Sequence, residues 1–287
     1  MFESEGLIIR SISGFYTVKS GGELFECRAR GIFRKKFAKP VVGDRVIVKH
    51  FENFNIINKI LPRKNFFLRP ALANLDLVLF VVSTCEPNVN YLVLDRLIAI
   101  AEFKKIDISI IITKTDMASP DEISNIYNLA GINYIFIDNT ENNLDKIYNL
   151  VSGKISALCG NSGVGKSTLL NKLLPELNLK TDQVSLKLGR GKHITKTTQL
   201  FSINDGFIAD TPGFSTVDIL KYDQIEKENL TDCFREFRKY SGCKFKTCTH
   251  TFEKGCLVRR AVEDGLIHRQ RYRSYCFIYN ELKNTKY

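Results

Sequence analysis

Eight consecutive residues, Gly160-Asn161-Ser162-Gly163-Val164-Gly165-Lys166-Ser167, match the G-x-x-x-x-G-K-[ST] phosphate-loop pattern at every fixed position. Its glycines let backbone N–H groups turn inward around phosphates, Lys166 can neutralise β/γ oxygens, and the Ser167 hydroxyl can ligate Mg²⁺. Thr168 follows at the start of the helix and completes this binding set. Asp210-Thr211-Pro212-Gly213 has the form of the Asp-x-x-Gly element that supports Mg²⁺ through Asp210 and meets the γ-phosphate with the Gly213 N–H. Thr113-Lys114-Thr115-Asp116 has the form of a base-reading loop. A carboxylate there accepts from N1–H and the exocyclic amine of guanine, whereas adenine would leave the charge unpaired. The usual element begins with Asn. Thr113 has only a hydroxyl with which to brace neighbouring loops, so guanine preference is expected to survive with weaker affinity. The second guanine loop is expected near Asp138-Asn139-Thr140.

In an ordinary GTPase the base-reading element comes after the other two; here it comes first. The chain therefore reads as a circularly permuted GTPase. Phe214 occupies the position where many GTPases carry a water-orienting glutamine, and it can neither donate nor accept. The catalytic groups are then sought in the stretch from Gly189 to Thr198, between phosphate loop and Asp210. His193 is the candidate to orient or activate water near neutral pH, against the alternative of an exposed switch histidine. Thr195, with Thr197 as second choice, is the candidate Mg²⁺ ligand. His193, Lys166 and Thr195 form the expected catalytic set.

Cys243, Cys248, His250 and Cys256 offer three thiolates and an imidazole within a short loop. Cys₃His is a standard tetrahedral structural zinc set, and four protein ligands leave no open position for chemistry. The other cysteines are isolated and read as small buried hydrophobes.

Residues 1–68 read as five short strands, with a hairpin turn at Ser20-Gly21-Gly22. They predict a small barrel, an OB-fold, with an SH3-like barrel giving nearly the same pattern. Leu61 to Pro70 reads as a linker. From 69 to 219, apolar strands (Leu75–Val82, Ile108–Ile112, Tyr134–Ile137, Ile155–Leu158, Gly206–Ala209) alternate with amphipathic helices, which predicts a mainly parallel sheet. Residues 220–287 read as helical around the cysteine cluster, ending in a basic helix near Arg259 to Glu281. The fold class is therefore multidomain α/β: an OB-fold β-barrel, a circularly permuted P-loop GTPase domain, and a C-terminal helical zinc-binding domain.

Net charge is +11 over 287 residues, unevenly spread. Residues 1–70 hold 14 basic against 6 acidic side chains, residues 71–219 hold 13 against 16, and residues 220–287 hold 15 against 9. A slightly acidic centre between basic flanks suits a protein that grips a polyanion, most simply nucleic acid. No apolar run approaches a membrane span and the N-terminus lacks a basic leader, so a cytoplasmic protein is expected, without membrane partners and as a monomer.

The permuted order, the Gly-Arg-Gly-Lys-His-x-Thr stretch at 189–195 and the Cys-x4-Cys-x-His-x5-Cys spacing together resemble the ribosome small-subunit-dependent GTPase family called RsgA, also YjeQ or YloQ. The resemblance covers nearly the whole chain. It departs at Thr113 for Asn and at Ile194 for the usual first Thr after the histidine. It implies binding of GTP and GDP with Mg²⁺, one structural Zn²⁺, and hydrolysis stimulated by the 30S subunit through contacts with its 16S rRNA. It further implies a part in late small-subunit maturation and a catalytic role for the switch histidine. Two other classes stay open: a nucleotide-gated rRNA-binding protein whose hydrolysis is incidental, and an ATP-using P-loop enzyme, which Asp116 disfavours.

Overall fold

The computed structural model describes residues 1–34, 39–68, 70–138, 143–177, 198–210 and 225–284. They divide into two compact units. The first takes Met1–Leu77, Tyr148–Leu158 and the described part of 167–222; the second takes Val78–Ile147, Cys159–Lys166 and the described part of 223–287.

The first unit begins with a closed five-stranded barrel. Its strands are β1 (Phe2–Ile12), β2 (Phe15–Ser20), β3 (Glu23–Ala29), β4 (Arg45–His50) and β5 (Asn55–Ile60). β1 is long enough to pair with β4 through its first half and with β2 through its second, which closes the sheet on itself. The spatial order β1-β2-β3-β5-β4, back to β1, with β3 and β5 parallel, is that of an OB-fold. Period-two burial explains the strands: Tyr16 and Val18 on β2, and Val46 and Val48 on β4, face the core while their neighbours face outward. Register shifts in β1 between Ile8 and Arg10, and opposite β5 between Ile47 and Val48, supply the bends that closure requires.

The stretch expected to be a linker is instead packed against the barrel. β6 (Phe66–Phe67) pairs with β7 (Leu72–Ala73) as a short hairpin. Arg63 reaches the fully buried Asp44 with Nε at 2.7 Å and Nη2 at 2.8 Å, and Asp44 also accepts from the Val41 amide at 2.8 Å. Gly43, at φ +86°, lies so close to the hairpin that a Cβ would sit 2.1 Å from the Ala73 carbonyl oxygen. The remaining strands of this unit are β11 (Ile155–Cys159), β12 (Gln199–Ile203) and β13 (Gly206–Asp210). β11 and β13 are parallel, as expected; β12, which the sequence pattern does not announce, runs antiparallel to β13 and meets β1 at Gln199 and Arg10. Lys19 reinforces that junction, donating to Ser202 Oγ at 3.1 Å and lying over the Phe207 ring.

The second unit holds β8 (Leu77–Ser83), α1 (Tyr91–Phe103), β9 (Asp107–Thr113), α2 (Asp121–Leu129) and β10 (Asn133–Ile137), with strand order β10-β9-β8 and β9 parallel to β10. β8 is buried along its whole length, as its unbroken apolar run predicts. Helix α3 (Leu144–Val151) leads towards β11, and α4 (Lys166–Leu173) leaves the phosphate loop. The C-terminal region is less helical than expected: short 3₁₀ turns run between Lys227 and Tyr240, and the basic terminal helix is two helices, α5 (Leu257–Glu263) and α6 (Arg269–Asn284). They are separated at Gly265, whose φ of +74° suits a helix end.

A buried charge cluster fastens these C-terminal turns and α6 to α1 and α2. Arg271, on α6, donates to Asp95 of α1 at 2.7 Å and, as a two-pronged fork, to both oxygens of Glu236 at 2.8 and 3.1 Å. Tyr127 of α2 donates to the same Asp95 oxygen at 3.0 Å, and the Phe234 ring lies 4.5 Å beneath the guanidinium. Arg271, Asp95 and Glu236 are all buried. Such a cluster contributes little net stability against an apolar alternative, but removing one partner strands the others without water. Arg271→Ala is therefore expected to destabilise the protein by about 3–5 kcal/mol, read as a lower urea midpoint; a midpoint within error of the parent would refute this account of the cluster.

Candidate nucleotide and metal sites

The base-reading loop and the phosphate loop, distant and inverted in sequence, meet in the second unit. Thr113 ends β9, is buried, and places its hydroxyl 2.7 Å from the Val164 carbonyl oxygen in the phosphate loop and 3.0 Å from the Val82 carbonyl oxygen in β8. The one hydroxyl hydrogen is shared between two acceptors. The same side chain packs 3.8 Å from the position a Cβ on Gly165 would take, and Gly165 holds φ +94°. Thr113 thus braces the phosphate loop and β8 from the position where the usual element carries asparagine.

Residues 83–87 complete the frame. Thr84 donates its N–H to the Thr113 carbonyl at 3.1 Å and its hydroxyl to the Lys114 carbonyl at 2.7 Å. Lys114, at φ +59°, returns its ammonium to the Glu86 carbonyl. Sequence reasoning misses this role, because the only signal is a polar turn closing an apolar strand. Thr115 and Asp116 lie in the turn after β9, Asp116 with its side chain exposed. Asp138, at the start of the stretch where a second guanine loop was expected, directly succeeds Ile137, the β10 residue paired with Thr113; Asn139 and Thr140 lie outside the described residues. All these loops sit at carboxyl ends of strands, where open α/β sheets bind ligands.

The phosphate loop runs from Gly160 between β11 and α4. A Cβ on Gly160 would lie 2.3 Å from the Val81 carbonyl oxygen, so only glycine fits against β8. Asn161, Ser162 and Gly163 are exposed, and Val164 is buried as the loop's anchor. α4 begins at Lys166, two residues earlier than expected, so Ser167 and Thr168 lie in its first turn. Lys166 curls back to donate to the Gly160 carbonyl at 2.7 Å and to that of Asn161. Burial lowers its pKa below the usual lysine value, so its ammonium would gain by meeting an anion. A helix N-terminus and a partly desolvated ammonium at one glycine-rich loop suit a polyphosphate.

Asp210 ends β13, where it was expected; Gly213 lies outside the described residues, as do His193, Thr195 and Thr197.

The four sequence-predicted metal ligands do converge. The donor atoms of Cys243, Cys248, His250 and Cys256 all lie within 4.8 Å of one another. Cys243 Sγ is 3.9 Å from Cys256 Sγ, and His250 Nδ1 is 3.7 and 3.3 Å from those two sulfurs. Tetrahedral zinc bonds of about 2.3 Å to sulfur and about 2.0 Å to nitrogen need separations of this size. Burial lowers the His250 pKa and keeps the ring neutral, as a ligand must be. The loop is held from outside: Tyr275 donates to the Thr249 carbonyl and Tyr272 to that of His250, each at 2.8 Å. Against its own desolvation, Glu253 is pulled down to about 2 by bonds that include the Thr249 hydroxyl and amide. The site therefore fits a closed structural zinc.

The chain is similar to known proteins along nearly its whole length. A family model described as RsgA GTPase matches residues 60–220, and one described as RsgA N-terminal domain matches residues 5–55. The chain is 42% identical to "Small ribosomal subunit biogenesis GTPase RsgA 1" of Listeria monocytogenes over 98% of both chains, and 42% identical to the protein of that name (RsgA) from Geobacillus kaustophilus over 99% of both. The crystal structure of YjeQ from Thermotoga maritima superposes with a TM-score of 0.83 at 31% identity, covering 99% of this chain and 100% of that one. YloQ, described as a circularly permuted GTPase, gives 0.81 at 31% identity over 100% and 98%.

The Thr113 strut generates a direct test. Thr113→Val removes the hydroxyl from two carbonyls while keeping shape, and GDP affinity by calorimetry is expected to fall about tenfold; Thr113→Ser should stay close to the parent. Parental affinity in Thr113→Val would show that the hydroxyl braces nothing of consequence.

Proposed function

We propose, because the chain belongs to the RsgA GTPase family, that it hydrolyses GTP to GDP and phosphate in the biogenesis of the small ribosomal subunit. The observation that carries this reading is the contact of Thr113 with Val164, which joins a guanine-type loop to a phosphate loop despite their inverted order.

In this reading Asp116 accepts from guanine, with Lys114 and Thr115 in the same loop. Residues Gly160 to Thr168 hold the phosphates through loop amides and the Lys166 ammonium, which gives up its bonds to the Gly160 and Asn161 carbonyls to do so. Mg²⁺ supplies charge neutralisation at the phosphates when bound, and Ser167, Asp210 and Thr195 (or Thr197) are the residues that would hold it. Gly213 offers its N–H to the γ-phosphate. His193 orients the attacking water, the task Phe214 cannot perform. Cys243, Cys248, His250 and Cys256 hold one structural Zn²⁺.

The three segments 1–68, 69–219 and 220–287 act as rRNA-binding barrel, GTPase and zinc segment, and the protein works as a monomer in the cytoplasm. Among the described residues no helix is long and apolar enough to cross a membrane. The basic flanks grip 16S rRNA of the 30S subunit, adding affinity and steepening its salt dependence. Because the chain passes from the Asp210–Gly213 element into the C-terminal segment, loss of the γ-phosphate loosens that grip. A nucleotide-gated rRNA-binding protein with incidental hydrolysis is the rival.

Single-turnover GTP hydrolysis with and without purified 30S subunits tests the reading. The subunits are expected to accelerate the parent protein, and His193→Ala to retain GTP binding while turning over about 10²-fold more slowly. Indifference to 30S subunits would favour the rival, and unchanged hydrolysis in the variant would remove His193 from the chemistry.

A further inference from the structure

The barrel carries an open groove of about 1100 Å³ whose walls include Phe2, Phe15, Phe25, Phe51 and Phe54. Two of its rings are backed by a second ring and open on the other side. Phe2 stacks on His50 at 4.3 Å with planes 13° apart, yet remains 61% exposed. Phe54 stacks on Phe51 at 4.5 Å and 19°, yet remains 54% exposed. His50 is itself immobilised: it is buried, its two ring nitrogens lie 2.8 Å from Ser4 Oγ and Asn55 Oδ1, and Phe25 meets it edge-on. On the same groove Arg28 lies over the Phe15 ring at 4.7 Å.

Leaving phenylalanine faces in water costs free energy, and rings already stacked on one side lose little freedom when a second planar group covers the other. Among the described residues the charged side chains lining the groove balance, Arg28 and Arg30 against Glu26 and Glu52, whereas residues 1–70 as a whole carry 14 basic against 6 acidic residues. A polyanion is thus attracted to the barrel, while the groove itself suits the uncharged part of that polyanion. From this geometry we infer that the groove is a stacking site for unpaired bases of single-stranded RNA, with Phe2 and Phe54 each taking one base face and the phosphates held outside. The inference rests on the small-subunit reading only for the choice of RNA as the polyanion. The paired regions of the same RNA are left to the basic surface.

The test is fluorescence anisotropy with the full chain and two labelled probes, an oligoadenylate RNA of about eight nucleotides and an RNA duplex. Phe2→Ala and Phe54→Ala are each expected to weaken oligoadenylate binding about tenfold, leaving duplex affinity and the salt slope as in the parent; Phe54→Trp should restore single-strand binding. Both positions are exposed, and a parental urea midpoint in each variant verifies the fold. No binding of oligoadenylate by the parent, unchanged affinity in both alanine variants, equal loss on the duplex, or displacement of the RNA by a proline-rich peptide without loss in the variants would each overturn the inference. The assay contains no ribosome, so its failure leaves the 30S-stimulated hydrolysis untouched, and absence of that stimulation leaves the groove's result standing.

Discussion

One hydroxyl group ties the nucleotide site together. Thr113 stands at the end of β9, and from there it holds the Val164 carbonyl of the phosphate loop and the Val82 carbonyl of β8. Both acceptors are backbone groups that must be satisfied where water is excluded. Thr84 and Lys114 then lock the base-reading turn onto the end of β8. These bonds hold the turn after β9 and the phosphate loop at a fixed separation. Nothing in the frame depends on which loop comes first along the chain, so a permuted order is tolerated as long as the strand ends stay together.

Permutation places a different segment after the Asp210–Gly213 stretch. Beyond 210 the chain proceeds to a C-terminal segment that is anchored in the second unit by unlike means. Arg271 joins it to α1 and α2 through buried carboxylates, Arg235 and Arg238 both reach Glu102 at the end of α1, and the zinc-type loop hangs from Tyr272 and Tyr275 of α6. Tyrosines 272 and 275 lie within about one turn of Arg271, so the helix that bears the buried charge also carries the metal loop. The C-terminal segment is therefore attached to α1 and α2 of the second unit.

Local chemistry was legible in the sequence, and long-range pairing was not. The phosphate loop, the Cys₃His set and the turn after β9 announce themselves by spacing, and the phosphate loop does lie between a strand and a helix, although that helix starts two residues early. The barrel strands were recognisable by alternation, but only the β1–β4 closure and the parallel β3–β5 pair distinguish an OB-fold from its rival. Pro62, Pro70 and the basic residues between them have linker composition; Asp44, far earlier in the chain, turns that stretch into a packed hairpin. Arg271 looks like any basic residue of an exposed helix because its partners lie 35 and 176 positions away. β12 is hidden because a five-residue strand with only two buried side chains, Leu200 and Ile203, has too little pattern to show.

The central claim is that Asp116 and the phosphate loop serve one guanine nucleotide, and exchanging the base tests it most directly. Asp116→Asn replaces an acceptor-only carboxylate with an amide that donates, which disfavours guanine and suits xanthine, whose carbonyl stands where guanine has its amine. Calorimetry of the variant should find GDP affinity lowered about 10²-fold and xanthosine diphosphate bound more tightly than GDP. A variant that binds GDP as the parent does would mean that the loop after β9 does not read the base.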